Sequence, residues 1–313
     1  MPFRKIYMLV FFSLVVHTAG QCQLTYEQLK VEYDSAWTYK NLQLIPVRFR
    51  DQPDDVNGVK QPFTHPLSLA EALMKGKAKI KEVLYENGAD VNWLEVFNLS
   101  KQPLMIHSGD LLAGGKQDRI IGETKVLAPG TSDYLKVYCI EKGRWDDKTK
   151  TFNHSGSANI EMKKVMDLSG RQNEVWKEIE RQFAHEKKTS ETWPYLKLHN
   201  AGVSDTGYIN FFSRKFRQSD SAYSGFLAIT GDRIINCELF ASSELTNLAF
   251  PSVLSSLVQS VVQSKEPSLP QNKMKNFMDK LLENEVSQKA FIAAHGQMHK
   301  YEGRVIHLIA YGD

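Results

Sequence analysis

Apolar residues mass first at the N-terminus, where Ile6 to Val16 form a run broken only by Ser13. From Asn41 onward they recur in short runs at strand spacing. Leu42–Val47 begins the series, and the pattern predicts further strands over Val91–Phe97, Leu104–Ser108, Lys125–Leu127 and Leu135–Ile140, with turn residues between them. The stretch Asn98–Pro103 and the run Ala128-Pro129-Gly130 are turn signals, and the polar, proline-bearing segment 52–66 reads as a loop. One short helix interrupts the strands: Ser68 stands where an N-cap belongs, with Glu71 three residues later. Strands so close together, without long intervening helices, predict an antiparallel sandwich-like unit.

After Asp146 the period changes. Residues 146–159 are polar and read as a connecting loop, and Val175, Trp176, Ile179 and Phe183 then share one helical face. Residues 187–217 read as irregular and aromatic-rich. A hairpin is predicted over Gly225–Phe240, turning at Gly231-Asp232, followed by a helix carrying Leu254, Leu257, Val258 and Val261. A short helix near Met274–Glu283 and a last strand over Gly303–Tyr311 close the chain. The expectation is an α+β protein: a leader at 1–20, a β-rich part at 21–150 and an α+β part at 151–313, packed as one unit.

The leader changes where this chain is expected to work. Arg4 and Lys5 precede the apolar run, and Thr18-Ala19-Gly20 follow it, the three-part pattern of a cleavable export signal with cleavage after Gly20. The run is too short for a stable anchor across a bilayer of about 30 Å, and no later stretch suggests a membrane span. The expected location is the periplasm or the extracellular space.

Composition narrows the partners. A formal charge of +3 over 313 residues is too small to imply binding to nucleic acid. Three cysteines cannot staple a domain of this size, and whether Cys139 pairs with Cys237 depends on geometry that sequence does not reveal. Sequons at Asn98 and Asn153 are acceptors only in a source that glycosylates exported proteins.

The densest unusual chemistry lies between Gly109 and Trp145. Gly109, Gly114 and Gly115 stand beside Lys116, Gln117 and Arg119, where exposed backbone N–H groups and basic side chains could cradle an anion. The spacing fails as a nucleoside-triphosphate loop: Lys116 is one residue late and Gln117 replaces the hydroxyl needed for magnesium. Arg144 and Trp145 could grip a planar or phosphorylated group, or close the core with Arg144 paired to a carboxylate. Asp110 could orient a base or cap the glycine turn, and Glu141 could act as acid or base. Cys139 alternates with Leu135 and Val137 as a core residue would, but near Lys142 and Arg144 it could also be a nucleophile. His295 and His299, four apart, read as surface residues, so no metal and no cofactor are expected.

These residues together resemble a known family, the ARG and rhodanese-phosphatase-superfamily-associated protein domain. The likeness is carried by Asn41-Leu42, Val91–Asn98, Gly109–Ile120, Cys139–Trp145 and the helix entry Gln172–Trp176. It runs from about 41 to 183 and more loosely over 225–262, with Asp110 and Asp118 standing where Glu and Asn are expected. The family's company implies a link to ADP-ribose or related nucleotide metabolism and supplies no catalytic residues. Two functions follow as expectations: a protein binding or processing an anionic, phosphorylated or ADP-ribose-like small molecule, or a non-enzymatic exported module for a protein or glycan.

Overall fold

The computed structural model describes residues 24–50, 63–85, 88–146, 149–201, 206–219, 222–261 and 264–312. The leader, its cleavage point and Cys22 lie outside them. Three sheets and eight helices among the described residues make the α+β architecture that the change of period predicts.

The central sheet draws its strands from both ends of the chain. Near the start lie β1 (Leu29–Val31), β2 (Trp37–Tyr39) and β3 (Leu42–Phe49); near the end lie β13 (Tyr223–Thr230), β14 (Arg233–Phe240), β15 (Gly296–Tyr301) and β16 (Arg304–Tyr311). Their order is β1-β3-β13-β14-β16-β15, with β2 also on β3, and every pairing is antiparallel. Hydrogen bonding therefore crosses the boundary expected near residue 150. β13 is buried along its whole length because both sheet faces are covered. One face packs on α5 (Thr206–Gln218) and α6 (Ser243–Val261), through Phe226, Phe240, Phe212 and Leu257. The other packs on α7 (Gln271–Leu282) and α8 (Glu285–His295), through Leu227, Leu239, Met278 and Ile292. Fully burying one such side chain contributes about 1.5–3 kcal/mol, so these two layers hold the sheet in place.

The β-rich unit is the expected sandwich. A three-stranded sheet, β4 (Leu67–Ser68), β7 (Leu104–Ile106) and β10 (Lys125–Leu127), faces a six-stranded one. The larger sheet runs β12-β8-β9-β11-β6-β5, built from β5 (Ala78–Tyr85), β6 (Gly88–Asn98), β8 (Asp110–Gly114), β9 (Arg119–Ile121), β11 (Ser132–Cys139) and β12 (Phe152–Ser157). Between them lie Leu104, Ile106, Leu127, Leu94, Leu112 and Val137. The larger sheet's other face carries Leu111, Ile120 and Tyr138 against α2 (Ile160–Ser169), α3 (Gln172–His185) and α4 (Tyr195–Ala201). The period of two shows directly here, Leu111 and Leu112 entering opposite cores.

Ser68 caps α1 (Leu69–Met74), its hydroxyl accepting the Glu71 N–H, as the sequence predicts. Three segments differ from expectation. The glycine loop 109–119 is a hairpin, β8 paired with β9, and the polar segment 146–159 contains β12. Residues 187–217 hold α4 and α5. Polar and glycine-rich composition hid the strands because their cover comes from distant helices. Asn98 is buried, its side-chain N–H2 donating to the carbonyls of Gln102, Leu127 and Ala128, so as folded this sequon ties a turn; Asn153 is exposed.

Candidate functional site

The glycine/basic segment and the Glu141–Trp145 strand end do come together, but as an interlocked knot. Arg144 pairs with Asp118 at 2.7 Å and also with Glu141, and reaches Asp146 at 3.8 Å. Arg119 is fully buried, donating to the Gln117 carbonyl and standing 3.7 Å from Glu82. Gln117 is buried and donates to the Glu141 carbonyl. Lys116 and Arg119 each lie 5.7 Å from the Trp145 ring, which is half-exposed. Arg144 is met by Asp118, Glu141 and Asp146, and Arg119 stands beside Glu82, so the charge of both arginines is answered within the fold.

The glycines have local reasons as well. A Cβ on Gly109 (φ +90°) would come within 2.9 Å of the Lys163 stem. One on Gly114 (φ +117°) would strike the Thr151 carbonyl at 2.1 Å, and one on Gly115 (φ +58°) the Phe152 ring at 2.1 Å. Cys139 is buried, its thiol donating to the Val91 carbonyl at 3.5 Å, and burial pushes its pKa up. That is the setting of a packing residue. Cys139 and Cys237 are both free thiols.

Arg119→Ala is therefore expected to lower stability by about 2 kcal/mol or more, leaving Glu82 beside an empty buried space, while Lys116→Ala stays within about 0.5 kcal/mol. Urea midpoints of the two single variants check this; equal, small effects would return Arg119 to the role of a ligand-binding residue.

Asp110, at the start of the same hairpin, opens onto a different place. A cleft of about 480 Å³ lies between α1, α6 and the β-rich unit, with Asp110, His107, His154 and Ser157 in its wall. Opposite them are Leu69, Met74, Met105, Leu248, Pro251 and Ser252. Asp110 is buried, and its Oδ1 accepts from Ser157 at 3.1 Å and Ser252 at 3.2 Å. Nε2 of His154 stands 3.5 Å from Oδ2, an ion-pair distance. Strand alternation would put His154 and Ser157 on opposite faces. A register shift between them in β12 turns both toward Asp110. Burial opposes the charge on each partner, yet the His154–Asp110 contact outweighs it, holding the Asp110 carboxyl below and the His154 imidazole above its ordinary range.

Behind the cleft wall lies a buried polar network. Glu238 of β14 and His307 of β16 sit in the middle of apolar strands, on the face turned toward the β-rich unit. Glu238 Oε1 accepts from His107 Nε2 at 3.0 Å, from His307 Nε2 at 3.1 Å and from Lys163 Nζ at 2.9 Å. A carboxylate only accepts, so both imidazoles carry their proton on Nε2. Nδ1 of His307 then accepts from the Thr124 hydroxyl at 2.8 Å. The His307 ring is stacked between Phe240 at 4.5 Å and His299 at 5.1 Å. Burial would raise the Glu238 pKa, but Lys163, His107 and His307 hold it well below the usual carboxylate range.

His107, Glu238 and His307 offer three donor atoms within 4.8 Å, a grouping that could hold a metal ion. Lys163 already supplies the cation there, touching both Glu238 oxygens at 2.9 and 3.2 Å, so an ion would have to displace a buried ammonium. His295 and His299, by contrast, fall on α8 and β15 and do not share a face.

Sequence reading reached Asp110, considered His107 only as a partner for Cys139, and passed over His154, Lys163, Glu238 and His307. The available signal was a lone charged or imidazole residue inside an apolar strand run, as in Cys237-Glu238-Leu239 and Ile306-His307-Leu308.

A three-sheet α+β chain with this cleft between its β-rich unit and α6 is matched by one family model over residues 30–311. The chain belongs to that family, the ARG and Rhodanese-Phosphatase-superfamily-associated Protein domain. No curated protein and no solved structure matches it.

Proposed function

We propose that this family member is an exported protein that binds a small molecule in the Asp110 cleft and performs acid–base chemistry on it. The observation that carries the reading is the convergence of one buried carboxylate, two imidazoles and two serine hydroxyls on a single apolar-lined cleft. Buried charge is costly, and a fold keeps it where packing alone would favour apolar residues mainly when it does chemistry or binding. Asp110 holds His154 and raises its pKa, and Glu238 holds His107 in the cleft wall. The anionic class of ligand rests on Lys116, Arg119 and the family's company. It gains less support, because Arg119 is buried beside Glu82 and no lysine or arginine is among the described residues lining the cleft.

The test is a thermal-shift screen of the mature protein against inorganic phosphate, ADP-ribose, sugars, alcohols and amines. Asp110→Asn and His154→Gln are expected to abolish the shift given by the true ligand while the folded near-ultraviolet spectrum persists. A shift that survives in both variants sinks the cleft reading. Export rests on Arg4, Lys5, the Ile6–Val16 run and the small residues at 18–20. Mass spectrometry of protein recovered outside the cytoplasm should find Gln21 first, and an intact Met1 there would refute the leader.

A second reading, a non-enzymatic module for a protein or glycan, is favoured by one feature. Val91, Trp93 and Tyr134 are exposed on neighbouring strands β6 and β11, a small apolar patch on the outer sheet.

A further inference from the structure

On the face of the central sheet turned away from the Asp110 cleft, a second hollow of about 340 Å³ opens between α7, α8 and the β13–β14 turn. Its charge is one-sided. Lys273 and Lys280 of α7 and Arg233 at the start of β14 line it against a single acid, Asp232. Among the described residues none of these three cations forms an ion pair. Elsewhere the chain closes such pairs along its exposed helix faces: Lys75 meets Glu71, Lys177 meets Glu174 and Lys289 meets Glu285. The difference is written into α7. The hollow-facing positions one turn from both Lys273 and Lys280 hold Asn276 and Phe277, where a carboxylate would have completed a pair. Asp279 is committed to Tyr26, accepting its hydroxyl at 2.8 Å.

We infer that this hollow binds a phosphomonoester carrying an aromatic body. Three positive charges against one negative leave an excess of two inside a concave wall, which focuses their field on whatever enters. Water can hydrate these cations but brings no charge to offset their mutual repulsion. A phosphomonoester carries about two negative charges at neutral pH, whereas a carboxylate answers only one. Arg233 offers the planar fork that meets phosphate oxygens through two parallel N–H groups, and the lysines add point charge from α7. The remaining wall is rich in rings. Phe277 and Phe291 meet edge to face at 5.2 Å, and His295 is stacked on Phe291 at 4.4 Å. This surface can receive a flat carbon body, which inorganic phosphate lacks.

The hollow shares no residue with the Asp110 cleft, so this inference stands or falls apart from the reading of that site. The experiment titrates the full mature chain by calorimetry with phenyl phosphate, inorganic phosphate, benzoate and benzylammonium. Phenyl phosphate should bind about fivefold more tightly, or better, than inorganic phosphate or benzoate, and benzylammonium should not bind. Arg233→Ala combined with Lys280→Ala should weaken phenyl phosphate about tenfold or more, two charge-assisted contacts being lost. Both side chains are exposed, so the double variant should keep the parent's urea midpoint. Lys289→Ala, on the neighbouring helix and already paired with Glu285, should leave the affinity as it is. Equal affinity for inorganic phosphate would mark an adventitious ion only and overturn the inference. So would equal affinity for benzoate, no binding of phenyl phosphate, or binding that the double variant leaves intact. Loss of phenyl phosphate binding in Asp110→Asn would put the ligand in the cleft instead, and overturn it too.

Discussion

Lys163→Met should be the most damaging single substitution in the buried network, lowering stability by roughly 3–5 kcal/mol. The methionine stem would still pass over Gly109 and fill the same channel, so the change removes the ammonium rather than the packing. What remains is a carboxylate buried at 2% exposure, with His107, His307 and Asn236 as its close partners among the described residues. Removing one partner of a buried pair costs far more than the pair contributes, because the remaining charge cannot be resolvated. Glu238→Gln in the same chain should recover part of the loss, since glutamine keeps an acceptor for His107 and His307 without the charge. Urea denaturation of the single and double variants measures both. A Lys163→Met protein within about 1 kcal/mol of the parent, or a double variant no better than the single, would show that Glu238 does not depend on Lys163.

The second large effect is one of pH. Asp167 on α2 is buried, with one oxygen accepting from Tyr311 at 2.6 Å and the other unpartnered. Burial, and then the nearby Glu238, raise its pKa from 3.8 to about 7, against the pull of Tyr311 and Lys163. The folded value lies above the unfolded one, so between these two pH values folding takes up a proton, and stability falls as pH rises. A shift of this size amounts to roughly 4 kcal/mol across the window. Asp167→Asn keeps an acceptor for Tyr311 and has nothing to ionise. Measured against the parent, it should gain roughly 3–4 kcal/mol between pH 4 and pH 8. The difference between the two proteins is the informative quantity. In the parent alone, His307, lowered mainly by burial to about 4, contributes the opposite slope, its stability being lost as pH falls below 6.5. Parallel pH curves for the two proteins would show that Asp167 does not titrate in that window.

Much of the fold was legible because its strands obey simple rules of alternation and capping. Lys125–Leu127, the Gly225–Phe240 hairpin and the Ser68 cap all depend on residues within a few positions of each other. The glycine hairpin was not legible, because the reasons for its glycines lie in the Lys163 stem, the Thr151 carbonyl and the Phe152 ring. Seen alone, glycines beside lysine and arginine look like an anion cradle; seen with Glu82, Asp118 and Glu141, they are the inside of an ion-pair knot. The site fared similarly. Asp110 could be suspected from its own neighbourhood, but His154 sat in a polar segment that reads as a loop. Glu238 and His307 become partners of His107 only through a sheet pairing that joins β14 to β16.

That central sheet also sets an order on assembly. β3 has no partner for its inner edge until β13 exists, and Pro46 waits for Phe226 across more than half the chain. A ribosome or translocon delivers the N-terminal strands first, so during synthesis Leu42, Ile45 and Val47 are presented to solvent with an open hydrogen-bonding edge. Pairing of this long range is slow and exposes sticky surface while it is pending. Nascent chains stopped before residue 223 should therefore need a holding chaperone, and recombinant production should respond more to lowered synthesis rate than to added ligand.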